Sequence, residues 1–199
     1  MSGRLFEDDV IFLQRLLKSS GFYKKKIDGL WGKGTDEAVA AFEARFRELR
    51  DVLGELDMRS EGHIQTLHPR AQEAARIFAR KVLDAGINIR IISGTRTYAE
   101  QNVLFRIGRF GDTRPKVTNS RGGQSNHNFG IAWDIGVFKD GKYQPESTLY
   151  TTAAQKGLFD GLEWGGNWVS FKDRPHYQVA TGLSILEVRE RFEKGEAYL

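Results

Sequence analysis

Two histidines and two aspartates, in two short stretches of the chain, have the types and spacing of a metal-dependent hydrolytic site. His127 and Asp134 lie in SNHNFGIAWD, and Asp173 and His176 lie in DRPH, far downstream. A catalytic zinc takes three protein ligands and keeps one position open for water, and two imidazoles with one carboxylate suit that chemistry. His127, Asp134 and His176 would supply these ligands. Asp173, three residues before His176, would act as the general base that accepts a proton from water.

The spacing alone leaves a simpler interpretation open. A histidine and an aspartate at this separation match by chance in many proteins, so these side chains could be ordinary surface or core residues. His63 and His68 lack a carboxylate at comparable spacing, and His68, directly before Pro69, suits the entry to a helix. The chain has no cysteine, so disulfides and thiolate sites are excluded and any metal must be held by His, Asp or Glu.

Hydrophobic patterns and cap signals predict the elements that would position these residues. Strands are predicted for INIRIIS, for residues 129–138 with a closing Asp140-Gly141 turn, and for HYQVA from His176. Helix starts are predicted at Pro69, at Thr97 with Glu100 in a capping box, and at Ser184 with Glu187 in a second one. Helices packed on a mostly antiparallel sheet make an α+β domain.

The face of the second strand that carries Asp134 is predicted to be open. Strand alternation puts Asp134 on one face with Ala132 and Gly136, and these small neighbours would leave room for an ion and a substrate. A long stretch without helix or strand signals, residues 108–124, is rich in Gly, Arg, Thr and Ser. Long loops inside compact domains often carry function.

The N-terminal quarter predicts a small helical unit. Asp8 or Asp9 would cap a first helix with Val10 and three leucines on one face, and Thr35 would cap a second. The apolar stripe of the second helix continues to Leu56 and predicts a helical connector. Length and pattern together predict a module in residues 1–50, a connector to about 56 and a larger domain in residues 57–199.

Composition narrows the class of protein. The chain of 199 residues has a net charge of +4, which favours anionic partners, but it contains no recognisable nucleic-acid-binding motif. No apolar run is long enough to insert into a membrane, and Glu7 to Asp9 interrupt the place where an export signal would be apolar. We expect a monomer without a signal peptide.

The motif S-x-H-x-x-G-x-A-x-D followed by D-x-x-H resembles the zinc D,D-peptidase family that includes the vancomycin-resistance carboxypeptidases. Residues from about Leu56 to Gln178, including SGTRTYAEQNVLFRIGR and LEWGGNWVSFKDRPHYQ, resemble in particular the L-alanyl-D-glutamate endopeptidases of phage endolysins and Bacillus-type wall hydrolases. The resemblance implies that His127, Asp134 and His176 bind zinc and that Asp173 is the catalytic carboxylate, where many relatives have Glu.

The same resemblance implies a role for Arg96, and the residue types make Ser125 and Trp164 further candidates. Arg96 in SGTR would stabilise the oxyanion of the tetrahedral intermediate, as suits a fixed guanidinium. Ser125 would contact a substrate carboxylate or amide, although it could equally only shape its loop. Trp164 and Trp168 would line a substrate groove or fill the core, and of these two roles the core is favoured.

The N-terminal stretch IDGLWGKGTDEAVAAFEARF, with the helix before it, resembles the three-helix peptidoglycan-binding module of wall hydrolases. One extra residue separates its D-G-x-x-G core from Thr35. With such a module, we expect that removal of residues 1–50 leaves cleavage of small soluble muropeptides intact.

These resemblances imply a peptidoglycan hydrolase that uses zinc-activated water to cut the bond between L-alanine and D-glutamate. Without an export signal, the expected setting is that of a bacteriolytic, phage-encoded endolysin, made in the host cytoplasm and acting on the wall after release. A D-alanyl-D-alanine carboxypeptidase of the same fold is the alternative. A further alternative is a wall-binding protein with a purely structural zinc site, although such a site would not require Asp173 or Arg96.

Overall fold

The computed structural model describes residues 6–199, which form two compact units. The first unit comprises the described residues up to Ala44, Arg96–Phe129 and Gly182–Leu199, and the second comprises Arg45–Thr95 and Gly130–Thr181. Each unit is therefore assembled from segments that are distant in the sequence. Across residues 6–199, no helix has both the length and the apolar character needed to cross a membrane.

Seven α-helices and five strands are present in the described part of the chain. The helices are α1 (Glu7–Ser19), α2 (Lys33–Leu53), α3 (Met58–Ile64), α4 (Pro69–Asp84), α5 (Tyr98–Arg106), α6 (Leu149–Gly157) and α7 (Ile185–Lys194). The strands are β1 (Ile89–Ser93), β2 (Ala132–Lys139), β3 (Lys142–Tyr143), β4 (Leu162–Trp164) and β5 (His176–Val179). Short 3-10 helices occupy Asn126–Phe129 and Gly165–Asn167. The predicted α+β class is confirmed.

The sheet of the second unit is antiparallel, with strand order β1-β2-β5-β4, and β3 extends β2 through a hairpin. The predicted Asp140-Gly141 turn is confirmed: both residues have positive φ, 50° and 76°, as a tight hairpin turn between two strands requires. Across the central pair, Asp134 of β2 lies directly opposite His176 of β5. The register of two strands therefore brings together residues that are 42 positions apart.

One face of the sheet forms the core of the second unit. Trp133, Ile135 and Val137 alternate along β2 and are all buried. They pack with residues of α4 and α6; within this cluster the Phe78 ring lies 4.2 Å from that of Tyr177. Arg76 of α4 is also fully buried, and it forms an ion pair with Glu61 of α3 and lies 5.0 Å from the Phe46 ring. Neither α3 nor α6 was predicted from the sequence.

Helices α1 and α2 of the N-terminal stretch are joined by a loop held around one buried glutamine. Gln14 donates to Asp28 Oδ1 at 3.0 Å and to the Leu30 carbonyl, and its Oε1 accepts from the backbone of Asp28 and Gly29. The loop takes positive φ at Gly29, 73°. Residues 7–53 thus contain two helices, where the resemblance implied three, because hydrogen bonds to Gln14 hold the intervening segment as turns.

The first unit also packs α1 against segments from the far end of the chain. The ring of Phe12 lies 5.3 Å from Phe192 of α7 and 6.2 Å from Tyr98 of α5, and Phe129 lies 5.4 Å from Phe192. Tyr198 closes this cluster by donating a hydrogen bond to the Phe129 carbonyl. The N-terminal helix therefore shares an aromatic core with residues after position 96.

Several predicted element boundaries are wrong. Helix α1 begins at Glu7, so Asp8 and Asp9 lie in its first turn, where negative charge favours the helix dipole, and neither caps it. Helix α2 begins at Lys33, and Thr35 is instead buried beside Gln14. The stretch before β2 is not extended, because residues Asn126–Phe129 form a 3-10 turn.

Other predicted helix boundaries are confirmed. Both capping boxes are present, at Thr97 and at Ser184. Pro69 opens α4, and His68 precedes it as the N-cap, with its Nδ1 accepting from the backbone of Arg70. The predicted connector to Leu56 is helical only to Leu53, because Gly54 with φ 89° ends the helix. Signals of a few residues were therefore sufficient at Thr97, Ser184 and Pro69.

Candidate metal centre

The structure brings together the three residues that the sequence analysis proposed as metal ligands. One ligand atom from each of His127, Asp134 and His176 lies within 4.8 Å of the other two. His127 lies in the 3-10 turn before β2 and is 2% exposed, and His176 begins β5 and is 5% exposed. Asp134 is partly exposed and faces His176, and Asp134 Oδ1 lies 3.4 Å from His176 Nδ1. Two buried imidazoles therefore converge on one accessible carboxylate.

This donor set fits a catalytic zinc ion. Two histidines and one carboxylate are a common protein complement for zinc that keeps a fourth position for water or substrate. A fully structural site would normally have four protein ligands, and among residues 6–199 the cluster contains only three His, Asp or Glu residues. The chain also lacks cysteine, the ligand that dominates structural zinc sites.

A chain of hydrogen bonds fixes which nitrogen of His176 faces the site. The carboxylate of Glu163 can only accept, so the amide nitrogen of Gln178 donates to Glu163 Oε2 at 2.6 Å. The amide oxygen of Gln178 then faces His176 Nε2 at 2.9 Å and accepts its proton. The Nδ1 lone pair is left on the side of Asp134, which is the arrangement that a metal-binding histidine needs.

The electrostatic surroundings of His176 are mixed. Burial lowers the pKa of His176, but the hydrogen bond and negative charge of Asp134, with contributions from Gln178 and Asp173, raise it above its usual value. A metal ion and a proton compete for the same imidazole nitrogen, so metal binding at this site releases any proton held there.

The ring of Trp168 packs against the imidazole of His176. The two rings lie 4.9 Å apart, and Trp168 keeps 37% of its surface exposed. Val169 and Phe171, which follow Trp168 closely in the chain, are 99% and 55% exposed. A partly exposed aromatic ring therefore lies beside one of the three candidate ligands.

Asp173 is held close to the site by a tight turn. Its backbone N–H donates to the Gly165 carbonyl at 3.0 Å, and its carbonyl accepts from the His176 N–H at 3.2 Å. A Cβ atom at Gly165 would lie 2.6 Å from the Asp173 carbonyl oxygen and 3.1 Å from the Cβ of His176. The absence of a side chain at Gly165 therefore permits this approach. It also gives a structural reason for the glycine directly after Trp164.

The backbone of Arg96 is tied to that of His127. The Arg96 N–H donates to the His127 carbonyl at 3.0 Å, and the buried side chain of Asn128 donates to the Arg96 carbonyl at 2.9 Å. Asn128 also accepts from the Gly123 N–H at 2.9 Å. Asn128 thus connects three segments of the first unit around a candidate ligand.

The two residues proposed to bind substrate have different surroundings. The carbonyl of Ser125 accepts from the Asn128 N–H, so Ser125 shapes the turn that carries His127, and its side chain is partly exposed. Trp164 donates from Nε1 to the Arg174 carbonyl at 2.7 Å and stacks 6.5 Å from Tyr177. Part of the Trp164 ring is therefore used in packing.

One prediction about the site is wrong. The space beside Gly136 is not open to an ion or a substrate, because a Cβ there would lie 3.0 to 3.1 Å from the side chains of Phe138, Ile92 and Tyr143. Ala132 is also fully buried. The small residues on this strand face serve close packing.

Two residues beside the candidate ligands, Gln178 and Asn128, were not predicted from the sequence. Gln178 had a usable signal, because a residue two positions after His176 on a strand shares its face. Asn128 had none, since its contacts join segments that are distant in the chain.

Comparisons with known proteins agree with this arrangement. A family model described as D-alanyl-D-alanine carboxypeptidase matches residues 118–179, which include all three candidate ligands and Asp173, and a peptidoglycan-binding domain model matches residues 7–52. The chain is 34% identical over 125 residues to the peptidoglycan L-alanyl-D-glutamate endopeptidase CwlK of Bacillus subtilis (strain 168), covering 57% of this chain and 73% of CwlK.

A solved structure, that of the L-Ala D-Glu endopeptidase ChiX of Serratia marcescens, matches with a TM-score of 0.47 and 26% identity, covering 64% of this chain and 90% of ChiX. The identity and coverage shared with CwlK, together with the two family models, assign the chain. It belongs to the M15 peptidase family described as D-alanyl-D-alanine carboxypeptidases, and it has an N-terminal peptidoglycan-binding domain.

Proposed function

We propose that this protein is a zinc endopeptidase that hydrolyses the bond between L-alanine and D-glutamate in peptidoglycan stem peptides. The observation that carries the proposal is the grouping of His127, Asp134 and His176 within 4.8 Å, in a chain 34% identical to an enzyme named for that bond. The peptidoglycan-binding domain at residues 7–52 supports the same substrate.

The three grouped residues would hold the zinc, which when bound acts as a Lewis acid and lowers the pKa of water. Elemental analysis of the purified protein tests this assignment. We expect about one zinc per chain, and a protein that hydrolyses its substrate with no bound metal would contradict the proposal.

Asp173 is proposed to take the proton of the attacking water and to deliver it to the leaving amine. Its support is the turn that holds its backbone between Gly165 and His176, and the effect of its negative charge on the pKa of His176. Arg96 is proposed to stabilise the negative charge that develops on the carbonyl oxygen, because a guanidinium is a permanent cation with several donors. Its support is the backbone hydrogen bond to His127.

The second candidate is a D-alanyl-D-alanine carboxypeptidase, which the description of the matching family model favours. Mass spectrometry of purified peptidoglycan fragments after digestion separates the two. New amino termini on D-glutamate are expected from the endopeptidase. Release of free D-alanine from pentapeptide stems would instead assign the protein to the carboxypeptidase class.

We also propose a bacteriolytic, endolysin-like role, in which a phage-encoded enzyme made in the host cytoplasm reaches the wall after the membrane is opened. The combination of a wall-binding domain with a peptidase supports it. Expression in a bacterial host followed by chloroform treatment tests it. Turbidity should fall only after the membrane has been permeabilised, and stable turbidity with a proven wall-cutting activity would contradict the lytic role.

A further inference from the structure

The positive charge of this protein is concentrated in one loop. Residues 106–121, here called the basic loop, contain five basic residues and one acidic residue, a net charge of +4. The whole chain also has a net charge of +4, so basic and acidic residues balance everywhere else. An uneven distribution of this kind creates a local positive potential that attracts anions.

Among residues 6–199, most cations of the basic loop have no carboxylate partner. Arg114 forms an ion pair with Asp112, Nη2 to Oδ2 at 2.6 Å. Within the described residues, Arg106, Lys116 and Arg121 are exposed and form no ion pair. Three cations are therefore available to a partner from outside the chain.

Arg109 is a fourth cation, and it is held in place by neutral groups. Its Nη1 donates to the carbonyls of Phe105 and Thr118 at 2.7 and 2.9 Å, and its Nη2 donates to Asn119 Oδ1 at 2.9 Å. Its guanidinium lies 4.1 Å from the centre of the Phe105 ring, and that of Arg121 lies 5.0 Å from the same ring. Both guanidinium groups thus lie against the same aromatic ring, and among residues 6–199 neither forms an ion pair with a carboxylate.

The basic loop is anchored to the part of the first unit that carries His127. Gln101 of α5 donates to the Ser120 carbonyl at 2.9 Å, and the Gly122 N–H donates to Asn102 Oδ1 at 2.9 Å. The following residue, Gly123, is bonded to Asn128, the neighbour of His127. The end of the loop is therefore held by the residues around a candidate ligand.

We propose that the basic loop binds the free carboxylates of acidic stem peptides, and so recruits substrate through charge. The inference rests on the proposed function for the identity of the substrate. Arginine suits this role because its planar guanidinium matches a carboxylate with two parallel hydrogen bonds. Exposed charges of this kind act strongly at low ionic strength and weakly at high salt.

The experiment measures binding of a peptide that cannot be cut, so that its result does not depend on which bond the enzyme hydrolyses. A fluorescent stem peptide that begins at D-glutamate and ends before D-alanine is titrated with full-length protein by anisotropy at low salt. A second peptide has every carboxylate amidated. The test variant is Arg106→Gln/Lys116→Gln/Arg121→Gln, and the control is Lys139→Gln/Lys142→Gln/Lys156→Gln, which removes equal charge from exposed positions elsewhere.

We expect the test variant to raise the Kd for the acidic peptide about tenfold, as three exposed charge contacts would, while the control changes it less than about twofold. The wild type should bind the amidated peptide as weakly as the test variant binds the acidic one. The proposal would be overturned if the two triple variants raised the Kd for the acidic peptide equally. It would also be overturned if the wild type bound the amidated peptide as tightly as the acidic one. A phosphate-bearing wall polymer is titrated in parallel. If the test variant lost affinity for this polymer and kept its affinity for the acidic peptide, the choice of carboxylate as the ligand would be overturned.

Discussion

Among single residues, Asp173 and Glu163 are the two acids that lie closest in the chain to the turn before His176, and their surroundings differ. The side chain of Glu163 accepts a hydrogen bond from Gln178, which in turn contacts His176. Asp173 has its backbone bonded directly to Gly165 and to His176. The hydrogen-bond chain therefore gives Glu163 an orienting role and leaves Asp173 as the candidate base.

Substitution of Asp173 by Ala should abolish hydrolysis while the folded protein retains zinc. A general base contributes about a hundredfold to ten-thousandfold to the rate without supplying a metal bond. His127→Ala, Asp134→Ala and His176→Ala should lose the metal as well. Turnover on muropeptides and metal content, measured on the same samples, check both statements.

The matched control for this prediction is Glu163→Ala, at the other acid. Full activity of Asp173→Ala, or a loss confined to Glu163→Ala, would show that the base has been assigned to the wrong residue. Loss of zinc from Asp173→Ala would identify this aspartate as a ligand.

Gln178→Leu should weaken zinc binding about 10- to 100-fold, because residues that orient a ligand histidine typically contribute that much. The substitution removes the acceptor at 2.9 Å from His176 Nε2 and frees the imidazole to rotate. Zinc affinity measured by competition with a chelator is the direct test. Gln155→Leu, at an exposed position of α6, serves as the control, and equal affinities of the two variants would refute the orienting role.

Among the structural elements, the turn from β4 to β5 depends on close backbone approach at Gly165. An added methyl group would lie 2.6 Å from the Asp173 carbonyl oxygen, so Gly165→Ala should cost about 1–3 kcal/mol of stability through overpacking. Activity should fall further than stability alone explains, since the displaced turn holds Asp173. Urea denaturation and turnover are the measurements.

Gly62→Ala is the control for that substitution, because nothing lies within 4 Å of the added Cβ and the residue is in helix α3. It should leave stability unchanged or slightly raised, since alanine favours a helix. If Gly165→Ala behaved like Gly62→Ala, the turn would tolerate a side chain and the packing explanation would be wrong.

Helix α4 should be sensitive to acid through its N-cap residue. Burial, with a smaller effect of Arg70, lowers the pKa of His68 from 6.5 to about 4. Between these values the unfolded chain binds a proton that the folded chain does not, so the free energy of unfolding falls as the pH falls, by up to about 3 kcal/mol. The contribution of His68 is complete above pH 6.5 and declines towards pH 4.

The comparison that isolates this effect uses His68→Asn, which keeps a capping side chain and removes the titration. Urea denaturation at pH 7.5 and 4.5 should show a loss of stability about 2 kcal/mol larger in the wild type than in the variant. Identical losses in the two proteins would mean that His68 is protonated in the folded state without cost.

For the molecule as a whole, the N-terminal helix α1 belongs to the same compact unit as His127 and Arg96. Phe12 packs on Tyr98 and Phe192, so removal of residues 1–50 would expose these rings. This packing argues against the expectation that the N-terminal module can be removed without effect. We predict that the truncated protein melts at least about 5 °C lower and cleaves soluble muropeptides more slowly.

Two point variants separate packing from other effects of the truncation. Phe12→Ala in the full chain should reproduce part of the loss of stability, whereas Leu30→Ala, at a position 70% exposed, should not. A truncated protein with unchanged melting temperature and turnover would restore the simpler picture of a separable module.

Elements whose causes are local could be predicted from short stretches of the sequence. Capping boxes at Thr97 and Ser184, the start of α4 at Pro69 and the Asp140-Gly141 turn each depend on a few neighbouring residues, and all are confirmed. Motif resemblance also singled out His127, Asp134 and His176. Short-range sterics and hydrogen bonds are sufficient for such features, so they can be predicted from the chain alone.

The orientation of those residues depends on the three-dimensional fold. The register that sets Asp134 opposite His176, the amide of Gln178 that turns the imidazole, and the space that Gly165 leaves for Asp173 all arise from contacts between separate segments. The shared aromatic core of α1 and α7 arises in the same way. Strand pairing and close packing are settled by competition among many long-range contacts, and no window of a few residues contains that information.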